Sequence, residues 1–299
     1  MTMITQNHKY NYKISRQCFQ NRSSQLIINA DDFGITQGVN KAIIQLSEVG
    51  IVTSVSVMTN MPYYKEIYKL NENIGIGIHL NLTIGKPLLP IEIIPTIINK
   101  DGYFYNISTL ISKTKNGEIS KKEVEAEFNA QIESLINMGI KPDHLNTHQS
   151  LLKYPFFFKI IKKVALKNGI KGIRTYTLRK LPYNRYLNLK KILKSVYLAY
   201  QKLLWKIEGF KVTNRYDSLT DIHLNFNDAI EKLKEIFRNL QNGVLELIIH
   251  PGYLEEENSV LGKYVHEREI ELHALLSRDL KKLFDYYNIE LISFKDIEK

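Results

Sequence analysis

The chain has 299 residues, 44% of them hydrophobic and 24% charged, with 41 basic side chains against 31 acidic ones and a formal net charge of +10. This is the composition of a soluble globular protein with room for one large α/β domain or two ordinary ones. The single cysteine, Cys18, excludes an internal disulfide and a cysteine-rich zinc site, and no apolar run reaches the ~18 residues of a membrane span.

A thiol-poor chain fits a reducing compartment, so a cytoplasmic location is expected. The lysine excess serves solubility as readily as it serves an anionic partner, and no nucleic-acid partner is expected. The first 25 residues lack the apolar core of a signal peptide. Residues 1–24 are set aside as a poorly ordered tail, whose opening Met-Thr-Met-Ile-Thr resembles a common β-galactosidase cloning leader.

Residues 26–34, Leu-Ile-Ile-Asn-Ala-Asp-Asp-Phe-Gly, read as a buried strand that runs into two adjacent carboxylates. Two acids at the mouth of such a strand repel each other unless a cation or strong donors sit there. The plainer alternative, a turn and a helix N-cap, needs only one of them. Phe33 and Gly34 turn the chain into a helix over 37–48, with Val39, Ala42, Ile43 and Leu46 at helical spacing and Gly50 as its C-cap.

Further strands are predicted over 51–58, 74–79, 140–145, 170–174, 244–250 and 289–294. Helices are predicted over 62–71, 121–138, 155–168, 189–207, 227–241 and 266–286. Repeated β-then-α order predicts a parallel sheet with right-handed crossovers, either open and doubly wound or closed into a barrel. Residues 85–120 and 176–225 are longer and less regular, as insertions over a functional face are. With no repeat and no linker, residues 25–299 read as a single domain.

The polar residues follow the strands. Asp31 and Asp32 end the first strand, His79 the third, Arg174 the fifth and His250 the sixth, while His148 follows the fourth by a short loop. In parallel α/β proteins, chemistry gathers at the carboxyl ends of strands. One carboxylate with two imidazoles makes an open site for a divalent ion, leaving positions for water and substrate. His144, inside a predicted strand, reads as a structural or supporting group.

At these residues the chain resembles the YdjC-like carbohydrate deacetylase family, which includes the chitooligosaccharide deacetylases. The resemblance runs through Asn29 to Gly34, Gly38-Val39-Asn40, Gly50-Ile51-Val52-Thr53-Ser54 and Gly77-Ile78-His79-Leu80-Asn81-Leu82-Thr83. It continues through the His144 to His148 loop, the Glu246 to Gly252 stretch, and Arg268-Glu269 with Glu271-Leu272. It implies an irregular (β/α) TIM-like barrel, one divalent metal ion (magnesium or zinc), frequent homodimers and removal of an N-acetyl group from an amino sugar. By that resemblance Asp32, His79 and His148 hold the metal and Asp31 is the base. His250 is the candidate acid for the leaving amine. Arg174 and Asn81 are the candidate substrate contacts, with orientation of Asp31 as the other role for Arg174.

The chain departs from the family at three positions: Asn146 stands where Asp is usual, and Ser150 and Leu152 where His is usual. The ligand His148 is kept, so metal binding is expected to survive; the changes touch the groups that orient the imidazole and the choice of sugar. Two other classes suit parts of the pattern. One is a metal-dependent phosphoesterase, which would want a second carboxylate cluster. The other is a non-catalytic or altered-specificity relative that binds sugars or polyanions. Residues 189–207 carry an apolar stripe beside five lysines, read as a core-facing or dimer-facing helix or as peripheral contact with an anionic membrane.

Overall fold

A computed structural model of the chain describes residues 24–176, 189–220, 225–240, 243–254 and 259–298. Ser24 is already the first residue of the first strand, and the rest of the tail set aside above lies outside the described residues, as does part of the 176–225 insertion. The strands are β1 (Ser24–Phe33), β2 (Ser54–Val57), β3 (Gly75–Leu80), β4 (His144–Thr147), β5 (Gly172–Ile173), β6 (Lys211–Val212), β7 (Arg215–Ser218), β8 (Val244–Ile249) and β9 (Ile289–Leu291). All pair in parallel, in the order β6-β5-β4-β3-β2-β1-β8-β7, with β9 added beside the start of β1.

The barrel expected from the resemblance is curled but not closed. β6 and β7 follow each other in the chain yet stand at opposite ends of the strand order. Three peptide steps separate Val212 from Arg215, a reach of at most ~11 Å, so the two edges of the sheet curl back to face each other. Asn214 keeps the seam open: its backbone N–H donates to the Val244 carbonyl and its side-chain oxygen accepts from the Val244 N–H, both at 2.8 Å, which commits the chain to β8.

Helices cover the outside: α1 (Gln37–Glu48), α2 (Ile107–Lys115), α3 (Lys121–Ile136), α4 (Pro155–Lys167), α5 (Leu189–Ile207), α6 (Phe226–Arg238), α7 (His266–Leu275) and α8 (Arg278–Tyr287). α1 shows the logic. Thr36 caps it by accepting from the Val39 N–H, and Val39, Ala42, Ile43 and Leu46 are wholly buried on one face. Burial of each larger aliphatic side chain is worth roughly 1.5–3 kcal/mol, as an upper estimate. The single helix expected over 266–286 is two helices, because Ser277 stops α7 and caps α8 through the Leu280 N–H. α2, β6 and β7 lie in the stretches that read as irregular.

α5 buries only Leu198, Gln201 and Trp205 against the body. Trp205 packs edge-on to Phe158 and Phe210, and the Gln201 amide donates to the Leu152 carbonyl at 3.0 Å. Of the stripe read from the sequence, Leu189, Leu193, Val196, Tyr200, Leu203 and Ile207 are exposed, so its greater part does not face the core.

Two local features aim side chains at one end of the sheet. Asp31 and Asp32 are consecutive in β1, and a regular pleat would send them to opposite faces. The β1–β2 register shifts between Ala30 and Phe33, and Asp32 adopts a left-handed φ of 66°; the irregularity turns both carboxylates inward. In β3, the space where Gly77 would carry a Cβ is occupied by the His144 imidazole. Gly77→Ala is therefore expected to lose about 1–3 kcal/mol by overpacking, read as a lowered urea midpoint with an unchanged slope.

Candidate active site

The carboxyl ends of β1, β3, β4 and β8 open into a cavity of about 540 Å³, and Asp31, Asp32, His79, His148, Arg174 and His250 all line it. Asp31 is the best-held of these groups. Arg174 grips it with two nitrogens, at 2.6 and 2.7 Å, and gives a third to Glu246 at 2.7 Å. Oδ1 of Asp31 also accepts from Asn29 at 2.8 Å and Asn146 at 3.3 Å, leaving Oδ2 with Arg174 as its one hydrogen-bond donor and His250 Nε2 3.8 Å away. Burial pushes the Asp31 carboxyl up, but the Arg174 guanidinium and the nearby imidazoles outweigh it and hold the group at about 2. Asp31 is a carboxylate at any neutral pH.

Asp32 is arranged differently. Oδ2 accepts from Arg268 at 2.6 Å; Oδ1 is buried, accepts no hydrogen bond from the described residues and stands 3.4 Å from Nε2 of His79. Burial again works to raise the carboxyl, and Arg268 with His79 overcomes it, holding Asp32 well below the ordinary carboxylate range. An ionised oxygen kept without a donor is costly in a protein interior and marks a place for a cation.

The two imidazoles are presented to the same space. His79 Nδ1 meets Asn146 Oδ1 at 2.5 Å, and an amide oxygen can only accept, so Nδ1 carries the hydrogen and the neutral ring keeps its lone pair on Nε2. His148 Nδ1 meets the Thr83 hydroxyl at 2.6 Å; that hydroxyl gives its own hydrogen to Asn81 Oδ1, so Nδ1 of His148 is the donor and Nε2 again keeps the lone pair. The rings stand edge to face, centroids 5.8 Å apart. Burial, joined by neighbouring cationic groups, pushes His148 down to about 4, so it is neutral at pH 7. Burial would lower His79 too, but the Asp31 and Asp32 carboxylates raise it.

Among the described residues no group of three or more His, Cys, Asp and Glu side chains is drawn together closely enough to hold a metal ion. The donor set nevertheless fits a divalent cation: one carboxylate oxygen without a hydrogen-bond donor and two imidazole nitrogens whose lone pairs are freed by hydrogen bonds on the far side of each ring.

The remaining predicted residues fall into place by contact. His250 follows β8, with Nδ1 2.8 Å from the Thr220 hydroxyl and its backbone N–H donating to Glu271 at 2.6 Å. Arg174 commits each of its three nitrogens to Asp31 or Glu246 and is 2% exposed, so of its two expected roles the geometry matches orientation of Asp31 rather than a grip on substrate. Asn81 is no substrate contact here: it lies outside the cavity lining, and its amide group is committed to Asn60, the Ile84 carbonyl and Thr83. It acts on His148 through Thr83 instead. His144 is a supporting group, as read from sequence, set between Asp143 and Ser56 and stacked on Phe294.

Sequence reasoning gave no role to Arg268, Glu246, Thr83 or Thr220. Arg268 reaches its partner across 236 residues of chain, so no local spacing could have signalled it. Asn146 appeared as a departure; here its amide joins His79, Asp31 and Ser56.

A match to the family described as YdjC-like protein extends over residues 25–286. The chain belongs to the YdjC-like family. Among the curated proteins that this YdjC-like chain resembles is a carbohydrate deacetylase of Clostridium beijerinckii, 29% identical over 276 residues, covering 91% of this chain and all of that one. A carbohydrate deacetylase of Halalkalibacterium halodurans is 32% identical over 254 residues, covering 84% of this chain and 94% of its own. A solved structure described as a putative cellobiose-phosphate cleavage protein of Enterococcus faecalis V583 shares the fold, with a TM-score of 0.75 at 24% identity over 93% of this chain and all of that one.

Removing the guanidinium of Arg174 strands two buried carboxylates. Arg174→Met is expected to cost about 3–5 kcal/mol of stability, read by denaturant unfolding, and the double variant Arg174→Met/Glu246→Gln should recover part of that loss by removing one of the stranded charges.

Proposed function

We propose that the chain is a metal-dependent carbohydrate deacetylase that hydrolyses the N-acetyl group of an amino sugar or oligosaccharide. The observation that carries the reading is the Asp32 oxygen left without a donor, 3.4 Å from Nε2 of His79, in a cavity that His148 also lines, with Nε2 as the lone-pair nitrogen of both neutral rings and an ionised Asp31 beside it. The names of the curated relatives support it.

Asp32, His79 and His148 would hold the ion. When bound, it supplies Lewis acidity, polarising the acetyl carbonyl and lowering the pKa of a water from ~15.7 toward neutrality. The chain's own residues do the rest. Asp31 Oδ1 is saturated by three donors, so Oδ2 is the oxygen with a lone pair to take a proton from water. A carboxyl held at about 2 is a weak base; it needs an acidified water, and it releases the proton readily afterwards. Arg174 and Asn146 fix its plane. His250, anchored through Nδ1 to Thr220 and with Nε2 turned to the Asp31 carboxylate 3.8 Å away, would protonate the departing amine. Asp31 and Asp32 thus divide the work, one cycling a proton and one remaining ionised.

Incubation with N-acetylated amino-sugar oligosaccharides should release acetate, and a chelator should stop it. Asp31→Asn should reduce turnover at least a thousandfold while isothermal titration still finds one metal ion per chain; near-normal turnover would sink the assignment of the base. Asn146→Ala, which frees His79 Nδ1, should weaken metal affinity by about 10- to 100-fold with the fold intact by circular dichroism.

A further inference from the structure

The exposed residues of α5 form a repeat. Leu189, Leu193, Val196, Tyr200, Leu203 and Ile207 are spaced alternately by four and three, and each is 54–70% exposed. Alternate spacing of four and three is the seam of a helix that packs against another helix, with apolar residues at the a and d positions of a heptad. The buried residues Leu198, Gln201 and Trp205 occupy the opposite face, so the helix already has its contact with the body and presents a second one outward. Nothing in the hydrolase reading uses this face.

The spacing is also palindromic about residue 198. Set against a reversed copy of itself, the helix brings Leu189 opposite Ile207, Leu193 opposite Leu203 and Val196 opposite Tyr200. Every layer joins an a to a d position, as an antiparallel pair requires. The flanks agree. Lys190 of one copy comes beside Leu204 of the other, Lys206 beside Ile192, and no lysine of the flanks meets a lysine; Lys191, Lys194 and Lys202 lie away from the seam. The six side chains expose roughly 700 Å² per copy, close to the ~800 Å² that each partner contributes to a standard interface.

We propose that α5 is the contact between two copies of this chain, packed antiparallel across a two-fold axis at the level of residue 198. A closed, self-complementary pair follows from one surface meeting itself. A lipid surface would also accept an apolar face with basic flanks; the apolar area exposed, close to what each half of a standard interface contributes, favours a second copy.

The test reads mass, not turnover, and so stands or falls apart from the hydrolase reading. Light scattering after size exclusion should find the full chain dimeric at tens of micromolar. Val196→Glu, at an exposed position that the fold does not use, should raise the dimer dissociation constant at least tenfold with unchanged circular dichroism. In a Cys18→Ser background, Leu193→Cys/Leu203→Cys should close into a covalent dimer on mild oxidation, while either cysteine alone should not. A monomer at that concentration, a dimer indifferent to Val196→Glu, or cross-linking by Leu193→Cys alone overturns the proposal. So does a monomer that floats with vesicles containing anionic phospholipid and loses them on Val196→Glu, which would hand the face to a membrane.

Discussion

One guanidinium holds the centre of this molecule. Arg174 is 2% exposed and gives three nitrogens to two buried carboxylates, Asp31 on β1 and Glu246 on β8. A buried cation of this kind is tolerated only because both partners are in place, and both partners are tolerated only because of it. Burial and Arg174 compete at each acid: Asp31 ends low at about 2, while Glu246, with Asp31 as a neighbouring negative charge, ends raised. The pairing also joins β5 to β1 and β8 across the interior of the curled sheet, so the geometry of the cavity and the stability of the sheet depend on the same contact.

Around that contact the parallel sheet does what its topology allows. Strand ends from distant parts of the chain meet on one side, and each polar side chain there is oriented by a neighbour. Asn146 sets the tautomer of His79, Thr83 that of His148 with Asn81 behind it, Thr220 anchors His250, and Arg268 takes one oxygen of Asp32. Asn146 shows how an amide can do at this position what an aspartate would do for the imidazole: either side chain offers an oxygen to Nδ1, and the amide adds a donor for Asp31.

Much of this was legible in the sequence. The apolar run of β1 with its two acids, the helical spacing of α1, and the positions of His79, His148, Arg174 and His250 after strand-like runs all read correctly from local patterns. What failed to read was non-local or short. β6 has two residues and no periodicity to show; β7 shows nothing of its parallel partner, which depends on Asn214 bonding to Val244. Asn81 looked like a substrate contact because it stands in a motif beside His79, whereas its role passes through Thr83. The stripe of α5 was visible as apolar residues, but which way it faced was decided by Leu198, Gln201 and Trp205, whose burial is a tertiary fact.

The left-handed backbone at Asp32 carries a consequence for anyone who would engineer the protein. A non-glycine residue at φ 66° stores conformational energy, on the order of 1–3 kcal/mol for such positions, and the charged oxygen it displays stores more. Glycine would relax the first and erase the second. Arg268, buried beside it, would however be left without its carboxylate, so glycine at this position exchanges an ion pair for a relaxed backbone; any directed evolution of this scaffold has to treat residues 32 and 268 together and select on activity as well as heat resistance.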